Sequence, residues 1–298
     1  MPTDGTIQLR DGRTAGFCDF GRPGQTAVLW CHGGPGCRLG PAYVAATAAS
    51  EGFRLIGIDR PGYGLSTPQP GRRIADWVSD ALAVADYLDI DSFATVGLST
   101  GGAHALAVAA LAADRVTGAV ACCSMTDMRH QPARNTMSRP HALAVWEAGD
   151  RETAMAAAAA SHGIDGTKII ESADGPPLPP SDQAMLQNTW GRQWIAALPD
   201  MFAHGVEGYT DDRLADGDGW TTFNAADIAC PVIVLHGGAD VIADPVHAHH
   251  TAAIVANTEL RIVPGAGHFS IEDHIVPTLV DLRHTCGMRR APLDITRP

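Results

Sequence analysis

Six short apolar runs punctuate the chain, at 26–31, 53–58, 93–98, 116–122, 231–236 and 259–263, each bounded by Gly, Pro or Asp. Runs this short that stay apolar at consecutive positions, without alternating, predict strands of a parallel sheet covered on both faces. Between most of them the pattern turns helical, over 41–50, 74–88, 102–113, 245–255 and 271–286. Strand alternating with helix predicts an α/β protein with a doubly wound, mostly parallel sheet.

The alternation stops between Ser124 and Asp227, where about a hundred residues pass before the next strand. This stretch predicts an inserted, mostly helical cap at 124–227, with helices over 141–149, 151–162 and 181–197 and a rigid Pro-rich connector over 175–180. The core is then split into 1–123 and 228–287, with a tail at 288–298 that reads as frayed. Four of the six tryptophans, Trp146, Trp190, Trp194 and Trp220, fall in the insertion, where they either pack its core or line an apolar pocket.

Composition narrows the possible partners. With 33 acidic against 21 basic residues, the net charge of −12 repels nucleic acid and anionic membrane surfaces. No run of 18 apolar residues offers a membrane span, and residues 1–13 lack the apolar core of a secretory signal. Seven cysteines is an odd number, and most lie in or beside apolar runs, so they read as buried free thiols rather than a disulfide framework. A cytoplasmic location and a small-molecule substrate are the expectations; oligomeric state is left open.

The chemistry gathers where predicted strands end, which is where open parallel sheets collect ligands. Cys31-His32-Gly33-Gly34-Pro35-Gly36 follows the first run, Asp59-Arg60-Pro61-Gly62-Tyr63-Gly64-Leu65-Ser66 the second, and Gly97-Leu98-Ser99-Thr100-Gly101 the third. His236-Gly237-Gly238-Ala239-Asp240 and Pro264-Gly265-Ala266-Gly267-His268 close the last two. GxSxG between a strand and a helix is the signature of a nucleophile on a tight turn, its glycines needed because side chains at 97 and 101 would collide with the neighbouring strand and helix. The alternative for this serine is an ordinary helix cap.

On these motifs the chain resembles the α/β-hydrolase superfamily, and HGGPG, DRPGYGLS and GxSxGG resemble the branch of proline iminopeptidases and related esterases. The resemblance implies Ser99 as nucleophile, His268 as general base and acid, and Asp240 as the carboxylate orienting His268. It also implies an oxyanion hole from the N–H groups of Thr100 and Gly34, with His32 bracing the Gly34 loop. Asp244, which also reads as a helix cap, and Asp127 are alternatives to Asp240. DRPGYGLS is expected to shape the site and brace the oxyanion loop, and Ser66 lacks an elbow.

Serine at 99 sets the chain apart from relatives whose nucleophile is aspartate, and Thr100 stands where iminopeptidases carry an aromatic residue. Glu147, Glu152, Glu171 and Glu207 lie in the insertion, but each reads as part of a solvated helix face. His247, His249 and His250 are read the same way, not as a metal cluster. The glycine-rich 97–102 lacks the lysine of a phosphate loop. The expected activity is hydrolysis of a small or medium carboxylic ester or lactone through an acyl-enzyme, with no cofactor and no metal required. An aminopeptidase, a carbon–carbon bond hydrolase and a non-catalytic small-molecule receptor on the same fold are the alternatives.

Overall fold

The computed structural model describes residues 2–137, 140–171 and 175–287. Its centre is an eight-stranded sheet of β1 (Thr3–Gln8), β2 (Thr14–Asp19), β3 (Thr26–Cys31), β4 (Phe53–Ile58), β5 (Phe93–Leu98), β6 (Val116–Cys122), β7 (Val232–Gly237) and β8 (Thr258–Val263), in the order β1-β2-β4-β3-β5-β6-β7-β8. From β4 to β8 every neighbouring pair is parallel. β4 and β7 are buried along their whole length, which is why their sequences show no alternation.

Two strands have no counterpart in the sequence-based expectation. β1 and β2 form an antiparallel hairpin on the β4 edge. β1 is TDGTIQ, with one fully buried residue, Ile7, so it lacks the apolar run that marks the central strands.

The core helices are α1 (Ala45–Ser50), α2 (Trp77–Tyr87), α3 (Thr100–Leu111), α12 (Val246–Ile254) and α13 (Ile275–Thr285). Short 3-10 turns at Gly40–Tyr43, Ile74–Asp76 and Ser270–His274 open three of the segments that the apolar pattern joins into single helices. α3 runs through the middle, with ten of its twelve residues buried.

Between β6 and β7 lie α4 (Gln131–Arg134), α5 (Pro140–Trp146), α6 (Arg151–His162), α7 (Thr167–Glu171), α8 (Pro180–Gln187), α9 (Thr189–Ala196), α10 (Leu198–Met201) and α11 (Glu207–Gly217). The single helix expected over 181–197 is broken at Asn188. That residue adopts an extended backbone, and its side chain accepts a hydrogen bond from Trp190 N at 2.7 Å, so it ends one helix and caps the next. This insertion has its own apolar cluster, including Val145, Ala154, Ala158, Leu198, Met201 and Phe202. The cluster continues into the core through Cys37 and Tyr63. The tail at 288–298 lies outside the described residues. Among the described residues no helix is long and apolar enough to cross a membrane.

Candidate active site

The turn after β5 places Ser99 at φ 51°, ψ −122°, a left-handed conformation rare for a residue with a side chain. The flanking glycines explain how so sharp a turn fits. A Cβ on Gly97 would run into the Gly101 carbonyl, and one on Gly101 into the carbonyls of Cys31 and His32 at the end of β3. Strand and helix backbones therefore touch across the turn, and Ser99 caps α3 by position without a side-chain cap hydrogen bond. Among the described residues neither the Thr100 nor the Gly34 N–H meets a protein acceptor.

The loops after β7 and β8 bring two further groups together. His268 Nδ1 lies 2.7 Å from Asp240 Oδ2. The other oxygen of Asp240 accepts hydrogen bonds from Ile242 N at 2.8 Å and Ala243 N at 2.9 Å, which fixes the carboxylate plane. Burial would push the His268 pKa down. The adjoining Asp240 carboxylate outweighs it and holds the imidazole well above its ordinary value. Asp240 is held far below the usual carboxylate range: burial opposes this, and the His268 charge with hydrogen bonds from His236 and His268 overcome it.

The alternative acids are engaged elsewhere. Asp244 accepts from Val246 N at 2.9 Å at the start of α12, and Asp127 binds the Arg129 side chain. Cys123 Sγ lies within 4.8 Å of the Asp240 and His268 ligand atoms. Burial pushes this thiol well above its ordinary pKa, which disfavours the thiolate that a metal would need.

Ser99, Gly34 and His268 line one cavity of about 520 Å³. Its walls are mainly apolar and include Leu39, Ile169, Met201 and two of the four tryptophans of the insertion, Trp190 and Trp194. Trp190 packs at a tilt against Phe269, next to His268, at a centroid distance of 5.0 Å. Trp146 and Trp220 pack elsewhere, Trp220 against Phe223 in the core. Thr100, the next residue after Ser99, is fully buried.

The Gly34 loop is braced from below. Arg60 N donates to His32 Nε2 at 3.1 Å, His32 Nδ1 faces Gly33 O at 2.7 Å, and the Arg60 guanidinium donates to the carbonyls of His32 and Gly33. Burial and the Arg60 charge keep His32 neutral, so it serves as a hydrogen-bonded strut. DRPGYGLS thus supplies the brace expected of it. Ser66 Oγ donates to Asp59 O at 2.7 Å inside this turn and is buried away from the cavity.

The insertion contributes groups that the motifs did not reveal. Asp212 on α11, fully buried, receives Arg60 Nη2 at 2.7 Å, Arg72 Nη2 at 2.6 Å and Tyr63 OH at 2.8 Å. Asp182 on α8, also fully buried, accepts from His268 N at 2.8 Å, Phe269 N at 3.1 Å, Ser270 N at 2.9 Å and Ser270 Oγ at 2.8 Å. Ser181 Oγ adds a hydrogen bond to Gly265 O at 2.8 Å. A side chain at Gly267 would strike the Asp182 carboxylate, so the loop carrying His268 packs directly on α8. Asp182 lies 86 residues from His268, and no local pattern marks such a pairing.

Of the glutamates in the insertion, Glu147 and Glu152 are exposed and Glu207 pairs with Arg151, while the side chain of Glu171 lies outside the described set. The carboxyl group that does line the cavity is Glu272, pushed up to about 8 by burial. The histidines of α12 depart from the solvated face expected of them. His247 is completely buried with Nδ1 accepting from Thr126 N, and His250 meets Thr126 Oγ1 and stacks on His130, while His249 is exposed. His247 and His250 therefore both serve Thr126, one at its backbone N–H and the other at its hydroxyl.

A sheet of this order with chemical groups at its strand ends defines an α/β hydrolase architecture. A model of the alpha/beta hydrolase fold family matches residues 26–275, and the chain belongs to that family as a hydrolase. It is 26% identical over 280 residues to a non-heme chloroperoxidase of Streptomyces lividans, covering 91% of this chain and 95% of the relative. It is 25% identical over 267 residues to the bifunctional esterase/perhydrolase DCH of Acinetobacter calcoaceticus, covering 89% and 92%. Among solved structures, the enol-lactonase of Burkholderia xenovorans LB400 superimposes with a TM-score of 0.70 at 21% identity, over 94% of this chain and 100% of that one.

Proposed function

We propose that the protein hydrolyses a small or medium carboxylic ester or lactone through an acyl-enzyme on Ser99, beneath the cap formed by residues 124–227. The observation that carries this reading is the 2.7 Å contact of His268 Nδ1 with a buried, doubly hydrogen-bonded Asp240, with His268 and a left-handed Ser99 lining one cavity.

A serine hydroxyl is too weakly acidic to attack unaided. As Ser99 Oγ bonds to the acyl carbon, its proton passes to His268 Nε2 and the carbonyl electron pair moves onto oxygen. The N–H groups of Thr100 and Gly34 receive that oxyanion. Collapse expels the alcohol oxygen, which takes the proton from Nε2 and leaves the acyl group on Ser99. Water then attacks the acyl carbon by the same steps, releasing the acid and restoring the serine. Asp240 keeps the Nδ1 proton in place so that Nε2 faces the serine, and it stabilises the imidazolium.

A fluorophosphonate is expected to label Ser99. Ser99→Ala is expected to cut turnover of a short p-nitrophenyl ester by roughly 10⁴-fold or more while leaving the circular dichroism spectrum intact. Undiminished turnover in that variant would overturn the assignment.

A further inference from the structure

Among the described residues lining the cavity, Arg213 on α11 is the sole arginine or lysine and Glu272 the sole carboxyl group. Arg213 is 4% exposed, and its Nε and Nη2 make no hydrogen bond. Nη1 contacts Met125 Sδ at 3.2 Å, and Nη2 lies 3.2 Å from Asp216 Oδ2 outside hydrogen-bond geometry. The guanidinium is held near the rings of Trp146 and Tyr209, at 5.8 and 5.3 Å from their centroids, so its orientation is fixed before any ligand arrives. Nη2 is 3.0 Å from where a Cβ on Gly34 would stand, which sets the unused donors beside the Gly34 loop.

Of the charged groups on and against α11, Arg213 is the one that reaches the cavity wall. Arg60 and Arg72 are paired with Asp212 behind it, and Arg213 has Asp216 at ion-pair distance, 3.2 Å. Farther out on the same helix, Arg151 joins Asp211 and Glu207 in a separate, part-exposed group. Burial keeps Glu272 protonated near neutral pH, so it offers a proton and not a repelling charge to an anion in the cavity.

We propose that Arg213 binds a carboxylate carried by the substrate, so that the acyl compound cleaved at Ser99 bears a second, anionic carboxyl group. This inference rests on the acyl-transfer role of Ser99 and narrows its substrate class. A planar guanidinium whose Nε and Nη2 make no hydrogen bond matches the two oxygens of a carboxylate. A single guanidinium in an otherwise mainly apolar wall matches one carboxylate.

The test uses binding, so it does not depend on turnover. Ser99→Ala protein is titrated by calorimetry with monomethyl glutarate and with methyl butyrate, a neutral ester of similar length. The charged ester is expected to bind at least about 10-fold more tightly, and Ser99→Ala/Arg213→Gln to lose that preference. Arg213→Lys on the same background keeps the charge without the fork and is expected to retain part of the preference, which covers failure of the Gln variant to fold. Equal binding of the two esters by Ser99→Ala, or an undiminished preference without Arg213, overturns the proposal. If a fluorophosphonate leaves Ser99 of the wild-type protein unlabelled, the role of Ser99 fails, while the binding comparison still decides that of Arg213.

Discussion

Ser99, Asp240 and His268 stand on turns that directly follow β5, β7 and β8, whereas Asp182, Asp212 and Arg213 reach the same region from helices of the insertion. The first set is held by backbone: tight turns, glycine contacts and N–H donors a few residues away. The second set works through buried charge over long sequence separations, and each member acts on a loop at the rim of the cavity. Asp212 steadies the Gly34 loop through Arg60, Asp182 holds the His268 loop, and Arg213 closes on Gly34. The difference teaches that the strand ends supply the proposed reacting groups, while the insertion fixes where those groups sit.

Substitutions in each set should separate those roles. Asp240→Asn is expected to lower kcat/KM for a p-nitrophenyl ester by about 10⁴-fold, with little change in melting temperature. Its pH profile carries a further sign. Because the Asp240 charge raises the His268 pKa, the free base forms only as pH climbs above the ordinary histidine value, and wild-type kcat/KM should rise over that range. Without the carboxylate the imidazole loses its proton more easily, so the rising limb of Asp240→Asn should move to lower pH. A limb that stays in place would show that Asp240 does not set the charge of His268.

Asp212→Asn addresses the insertion directly. It keeps the shape and removes the charge that Arg60 and Arg72 share, and uncompensated buried charge costs about 3–5 kcal/mol. The expected result is a large fall in stability by urea unfolding. Stability within 1 kcal/mol of wild type, on the same scale, would break the contrast.

Asp182→Ala should have a smaller effect on stability, roughly 1–3 kcal/mol, because it strands backbone donors at the surface of a loop. Its distinguishing readout is kinetic: kcat should fall about 10-fold or more with KM little changed, since a displaced His268 weakens proton transfer more than binding. Asp182→Asn, which keeps one acceptor oxygen, should recover part of the loss. Equal losses in kcat and stability for both variants would reduce Asp182 to a packing residue.

The legible part of the molecule follows from the same distinction. Central parallel strands bury nearly every residue, so β4, β5 and β6 stand in the sequence as mostly apolar runs with sharp ends. The turns that follow them must be tight, and tight turns need glycine, which left HGGPG and GxSxG as local signals. The hairpin β1–β2 escaped because β1 sits at the sheet edge with little to bury. Asp182, Asp212 and Arg213 escaped for another reason. An acidic residue in the first turn of a helix has an ordinary local explanation, and only the folded chain brings Asp182 to a loop 86 positions away. Nothing in the sequence neighbours of His247 announces that α12 turns it toward Thr126.

The contact of α8 with the His268 loop bears on how molecules enter and leave. Five hydrogen bonds from Asp182 and Ser181 tie that loop to the helix. Were α8 to swing outward as a rigid flap, it would take with it the anchor of the proposed base. Traffic through this cavity is therefore better served by a doorway between side chains than by a hinged roof, and a substrate wider than that doorway would be turned away before the chemistry could test it.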